Sequence, residues 1–232
     1  MMEEKNVVKE NAGSFDFMAT VLGCLMFILN VLLKPVSTVK AKIKNFSNVK
    51  NTGILLGVVA LGRMIIGLLS SMISVIFVKK VNYFSGDTKL EVAFDNLKEL
   101  NYFDLTIKAF FSYVIVMLAL AGIYYIVAMI MKKNANYFRL VAISSVAFVP
   151  TILAGLVSVI LAYIYAPLAV FVVCAAAFYS FLTFVNAMDD ELDIDDSNLK
   201  VYFHTICFTV VIIVTFYVTK ESLDTSLTSF LK

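Results

Sequence analysis

Apolar residues in this chain come in long unbroken stretches, separated by short polar connections. Five runs, Gly53–Val78, Ala109–Met131, Leu140–Tyr163, Leu168–Ala187 and Val201–Thr219, meet or nearly meet the ~20 residues that a helix needs to cross a ~30 Å hydrocarbon layer. A barrel strand needs only ~9–11 residues, so runs of this length predict helices. In lipid a helix also pairs its own backbone N–H and C=O groups, which an open strand cannot do. The pattern therefore predicts an all-α polytopic transmembrane bundle with five spans. An earlier run, Phe17–Leu33, is shorter and carries Asn30 near its end. It reads either as an interfacial helix in one leaflet or as a further span.

The connections set the orientation. Lys34–Thr52 holds Lys34, Lys40, Lys42, Lys44 and Lys50 and no acid; Lys132–Arg139 holds Lys132, Lys133 and Arg139. Two crossings separate these connections, so they share a face, and the positive-inside rule makes it cytoplasmic. The connection Lys79–Lys108 then lies outside. Its charges balance, and its Lys79-Lys80 pair runs against the rule. Met188–Lys200 is inside and the C-terminal tail outside. Ile164–Pro167 reads as a tight hairpin. Tyr83, Tyr102, Tyr137, Tyr163, Tyr165 and Tyr202 fall at predicted span edges, where amphipathic rings favour the headgroup layer.

Two connections show helical periodicity. Val36, Val39, Ile43 and Phe46 recur with lysines between them, which predicts a basic amphipathic helix on an anionic inner leaflet. Leu90, Phe94 and Leu97 form a second stripe, with Thr88 and Glu91 at capping-box spacing.

Composition agrees with the pattern. Hydrophobic residues make up 61% of the 232, charged residues 16%, and mean hydropathy is +0.90. Soluble domains run at roughly 45–50% apolar and about 25% charged. The net charge of +2 is not gathered into a dense Lys/Arg face, so nucleic acid is not expected as a partner. The three cysteines, Cys24, Cys174 and Cys207, lie inside apolar runs and read as inert thiols, not a disulfide framework. The opening MMEEKNVVKE does not resemble a cleavable signal.

The candidate chemistry is sparse. Arg63 interrupts a span; it reads as a residue near the inner face that snorkels to headgroups, or as a paired or anion-binding charge. Asp189, Asp190, Glu191, Asp193, Asp195 and Asp196 crowd one connection. Counted from Asp189, an EF-hand would need Gly and Glu where Ile194 and Lys200 stand, so calcium is not expected. The segment reads as a solvated turn, or as a docking site for a basic partner such as the chain's own 34–50 helix. His204 is the lone histidine, and with Cys207 it makes no metal site. Pro150 should kink its helix, with Ser144, Ser145 and Thr151 near enough to take up freed carbonyls. Gly53, Gly57, Gly62 and Gly67 suit close helix packing within the chain, or a homo-oligomer seam. There is no H-E-x-x-H, G-x-S-x-G or P-loop, and no paired carboxylate within a span, so no enzyme and no cofactor are expected.

The stretch KKNANYFRLVAISSVAFVPTILAGLVSVILA, residues 132–162, carries a resemblance. A short basic turn leads through an aromatic and an Arg into a helix with Pro150 near its middle. This resembles the Yip family, the Ypt/Rab-interacting membrane proteins, in its bacterial form. The order of parts over residues 34–219 is similar too. Many members carry a Gly-Gly pair in the turn where this chain has Lys133-Asn134-Ala135-Asn136. The resemblance implies a cytoplasmic N-terminal region, which places Phe17–Leu33 in the inner leaflet. It also implies a non-enzymatic scaffold or adaptor that binds other membrane proteins or lipids in a bacterial plasma membrane. The contact candidates are Lys40, Lys42, Lys44, Arg63, Asp189, Asp190 and Asp193. A transporter or permease-like subunit using Arg63 and the Pro150 kink is the alternative. The expected organisation is a polar tail at 1–16, the apolar and basic segments at 17–52, a five-span domain at 53–219, and a tail at 220–232.

Overall fold

The computed structural model describes the backbone at 17–81 and 88–230, and side chains at 20–78 and 90–216. The polar tail, Tyr83 and the side chains of the C-terminal tail lie outside the described residues. The elements are α1 (Phe17–Leu33), α2 (Pro35–Lys42), a 3-10 turn (Ile43–Phe46), α3 (Val49–Ile76), β1 (Phe77–Val81), β2 (Thr88–Val92), a second 3-10 turn (Phe94–Glu99), α4 (Tyr102–Ile130), α5 (Tyr137–Ala147), α6 (Val149–Ile164), α7 (Ala166–Leu192) and α8 (Ser197–Phe230). Five helical segments are long and apolar enough to cross a membrane: α3, α4, α5 with α6, α7, and α8 through Phe216. The end where α3, α5 and α8 begin and α4 and α7 finish is called proximal below, and the other distal.

Local chemistry sets the helix starts. Asn48, Asn101 and Asn136 each cap a helix by accepting a backbone N–H in the first turn. All three prolines, Pro35, Pro150 and Pro167, stand in the first turn of a helix, where a missing N–H costs nothing. Pro150 therefore divides the third span more sharply than a kink. Phe148 leaves helical geometry between α5 and α6. Ser145 Oγ donates to the Val141 carbonyl at 2.7 Å, while the Ser145 carbonyl accepts from Tyr113 of α4 at 2.6 Å. Thr151 reaches across to Ser180 of α7 at 2.8 Å. Ser144 has no hydrogen-bond partner. Of the three hydroxyls expected to mend the break, only Ser145 bonds within its own helix.

The broken span is the centre of the bundle. In its most apolar stretch 61% of residues are buried, against 33% or less in each other span. Every residue from Leu140 to Ala147 is buried. The outward faces of the other spans carry large exposed side chains such as Phe111, Ile126, Phe171, Phe178 and Ile212, as lipid-facing surfaces do.

The distal connection differs from the expected helix. Thr88–Val92 pairs antiparallel with Phe77–Val81, Phe77 opposite Val92 and Lys79 opposite Leu90. Thr88, Leu90 and Val92 alternate with Lys89 and Glu91, a period of two that suits a strand. The Thr88/Glu91 spacing is thus not a capping box, and Phe94–Glu99 forms only a 3-10 turn. Asn96 ties that turn to α3 through the Val75 carbonyl at 3.2 Å.

Candidate functional site

The acidic segment is mostly helix. α7 continues through Leu192 and stops at Asp193, which takes the left-handed conformation (φ 51°, ψ 53°). Asp189, Asp190 and Glu191 thus stand on the last turn of α7, at the negative end of its dipole, where carboxylates are disfavoured. Cations and hydrogen bonds from three other helices and one turn offset that placement.

On the inward side, Asp189 is only 10% exposed and meets two groups of α8. Its Oδ1 lies 2.9 Å from Nε2 of His204, and its Oδ2 lies 3.6 Å from Nζ of Lys200. The other ring nitrogen of His204, Nδ1, is 3.0 Å from the hydroxyl of Tyr124 on α4. A carboxylate only accepts, so Nε2 carries the hydrogen, and in the neutral ring Nδ1 accepts from Tyr124. Aromatic edges enclose this chain: Tyr124 meets Phe184 with ring centroids 4.9 Å apart and Phe203 at 5.5 Å. The Tyr124–His204–Asp189 chain joins α4, α8 and α7 through the apolar interior.

On the side facing α5, Arg139 in the first turn of that helix donates from Nη1 to Glu191 at 3.1 Å and from Nε to the Ser47 hydroxyl at 3.4 Å. Glu191 is 7% exposed, so Arg139 is its counter-ion in a largely dry setting. Lys40 of α2 bridges Asp190 at 3.0 Å. Lys133 donates to the backbone carbonyl of Asp193 at 2.8 Å. The result is a clamp of charges that fastens α2, α5 and α8, and the turn before α5, to the end of α7.

The sequence candidates divide on this geometry. Lys40, Asp189 and Asp190 are in the clamp. Lys42 and Lys44 stand exposed beside it, and Lys44 lines a small cleft with Asp190 and Glu191. The Asp193 carboxylate faces outward while its backbone is held. The apolar stripe of the basic helix does not face lipid: Val39, Ile43 and Phe46 are buried against the protein, and Phe46 meets Phe27 of α1 with centroids 5.0 Å apart. Only Val36 of that stripe is exposed. α1 runs inward and α2 brings the chain back: Thr20 and Gly23 share a cavity with Lys42, Asn45 and Asn51, while the Leu32 carbonyl accepts from Tyr179 well along α7 at 3.0 Å.

Two other expectations give way. Arg63 lies halfway along α3, about 21 Å from the helix start at 1.5 Å per residue, not near its end. The glycines of α3 are not a packing face among the described residues. A Cβ on Gly53, Gly57 or Gly62 would meet nothing within 4 Å, and on Gly67 only Ala109 at 3.9 Å. His204 and Cys207 are both buried, and no group of three or more metal-binding side chains occurs among the described residues.

Glu191 belongs to the acidic segment read as a docking site, whereas Tyr124, Arg139, Ser47, Lys133 and Lys200 are not site candidates on the sequence. Asp189 and His204 lie on opposite sides of a short turn, which hints that they can meet. Tyr124 stands in a continuous apolar run with no local signal for its role.

No curated protein and no solved structure matches the chain. The profile of the Yip1 domain matches residues 29–218, which takes in everything from the end of α1 to the last span. Five spans, a central helix broken at Pro150 and a match over most of the chain agree: this polytopic membrane protein belongs to the Yip1 domain family.

Proposed function

We propose that the protein is a non-enzymatic scaffold or adaptor that binds other membrane proteins or lipids through its proximal end. The observation that carries this reading is the clamp. It fixes α2, α5, α7 and α8 to one another and leaves Lys42, Lys44, Asp193 and Asp195 turned outward on a rigid frame. Mixed exposed charges on a fixed surface suit selective, reversible contact with a charged partner. The excess of Lys and Arg in the proximal connections favours a cytoplasmic proximal end, with the C-terminus beyond the opposite face of a bacterial plasma membrane. Lys42 and Lys44 are then within reach of anionic headgroups of the inner leaflet, each worth about 1 kcal/mol near the surface. The hairpin of α1 and α2 fits an inner-leaflet wedge, since its two ends lie on the same side.

A permease-like role finds less support. Arg63 opens outward from α3, whereas the Pro150 break is packed inside, with Phe148 and Phe184 centroids 5.6 Å apart. The two features do not line one path.

Mild-detergent co-purification of the full-length tagged protein, with mass spectrometry, tests the scaffold reading. A stoichiometric membrane-protein partner should be retained, and should be lost in Lys42→Gln/Lys44→Gln or in Asp193→Asn/Asp195→Asn. A partner-free protein that also shows no preference for anionic vesicles would refute the reading, as would a partner indifferent to both variants.

A further inference from the structure

Among the described residues Arg63 is the one charge in the middle of a span, and none of them supplies it a counter-ion. It is exposed, and it makes no hydrogen bond or ion pair among the described residues. It faces a groove of about 470 Å³ between α3 and α4, with Lys108 and Ser112 on the opposite wall and Leu105, Ala109 and Val116 supplying apolar surface. The acid nearest the groove along α4, Asp104, is taken by Lys108 at 2.6 Å. The cations lie at different depths: Lys108 is about 9 Å along α4 from its distal start, and Arg63 about 20 Å along α3 from its distal end. Tyr113 walls the base of the groove, but its hydroxyl is already committed to the Ser145 carbonyl.

We propose that this groove binds one acidic phospholipid from the distal leaflet. An unpaired guanidinium on a lipid-facing helix draws an anion into its layer, and a phosphate takes two parallel N–H donors from it. Lys108, whose exposed pair with Asp104 leaves further N–H donors, meets the headgroup from the interface side, and the Ser112 hydroxyl adds a donor between the cations. One acyl chain lies along Ala109 and Val116, the latter 54% exposed. A free anion has no use for that apolar wall, and an acidic helix from another protein would not need cations spread over two depths. The site is in the opposite half of the molecule from the proximal clamp and does not depend on it.

The test uses full-length protein in phosphatidylcholine nanodiscs with a minor share of phosphatidylglycerol of the same chains, released for native mass spectrometry. Wild type should retain phosphatidylglycerol about fivefold over its share, the size of one cation–headgroup contact. Arg63→Gln should lower that ratio severalfold, and so should Val116→Trp, which fills the groove without touching a charge. Arg63→Lys should keep part of it, and Lys98→Gln on the distal connection all of it. Excess inorganic phosphate should not displace the lipid. Equal ratios in wild type, Arg63→Gln and Val116→Trp would overturn the proposal; displacement by phosphate would overturn the lipid assignment. If Arg63→Gln fails to fold, Val116→Trp and Arg63→Lys decide the matter alone.

Discussion

Replacing Tyr124 by Phe removes one hydroxyl from the centre of the bundle and almost nothing else. The ring keeps its edge contacts with Phe184 and Phe203, because those involve carbon alone. What is lost is the hydrogen bond to Nδ1 of His204, and the nitrogen left behind is on a side chain only 10% exposed. A neutral hydrogen bond contributes about 0.5–1.5 kcal/mol net, and a buried group left unpaired costs about 1–3 kcal/mol. Tyr124→Phe is therefore expected to destabilise the folded bundle by about 2 kcal/mol. His204→Phe strips both bonds and leaves Asp189 with Lys200 alone, 3.6 Å away, so it should cost more, about 3–4 kcal/mol, since a hydrogen bond to a charged group contributes about 1.5–3 kcal/mol and the Tyr124 hydroxyl is orphaned as well. Because both substitutions break the same bond, the double variant should fall short of the sum by about 1–2 kcal/mol. The assay is reversible unfolding of detergent-solubilised protein in SDS or urea, followed by circular dichroism at fixed pH. A Tyr124→Phe loss under about 0.3 kcal/mol, or an additive cycle, would refute a coupled Tyr124–His204–Asp189 chain.

Other contacts give sharp expectations in the same assay. Arg139→Ala should cost about 3–5 kcal/mol by leaving Glu191 buried without its counter-ion, and adding Glu191→Gln should recover much of that loss; equal stability of the single and double variants would sink the ion-pair account. Tyr113→Phe should cost about 1–2 kcal/mol by orphaning the Ser145 carbonyl, whereas Pro150→Ala should change stability by less than about 1 kcal/mol, since Pro150 already stands in a helix's first turn. At Asp193, whose backbone is left-handed, Gly should be neutral or stabilising and Val should cost about 1–2 kcal/mol; the reverse order in thermal melting would contradict that geometry.

How much of this was legible in the sequence depends on which interaction decided each element. The spans were legible because length and apolarity alone decide them: all five runs became helices, and Ile164–Pro167 became the tight turn between α6 and α7. Their ends were less so, since a helix can continue through polar residues once it is anchored. α7 runs on to Leu192, which moved three acids from a turn onto a helix. The strand at Thr88–Val92 was hidden because its partner, Phe77–Val81, overlaps the end of an apolar run that reads as one helix. The basic helix shows the limit of amphipathic pattern. Val39, Ile43 and Phe46 declare a buried face, but nothing in the pattern says whether protein or lipid covers it.

The break at Pro150 connects the fold to its charged end. An unbroken span would leave one helix to serve both as the core of the bundle and as an outer wall. With the break, α5 is enclosed from Leu140 to Ala147, while α6 takes a separate line beside α7 and α3 and keeps Leu153, Val157 and Ile160 exposed. A central α5 brings its first turn, and so Arg139, into the middle of the proximal face. There Arg139 reaches Ser47 before α3 on one side and Glu191 at the end of α7 on the other. The Lys133 that precedes it holds the Asp193 carbonyl. A proline in the interior and a set of ion pairs at one end are thus parts of one arrangement. The first places α5 at the axis, and the second uses that position to tie the surrounding helices together. Moving α5 off the axis would separate Arg139 from Glu191 and leave a carboxylate 7% exposed without a cation. The charged end therefore favours the same packing that the broken span permits.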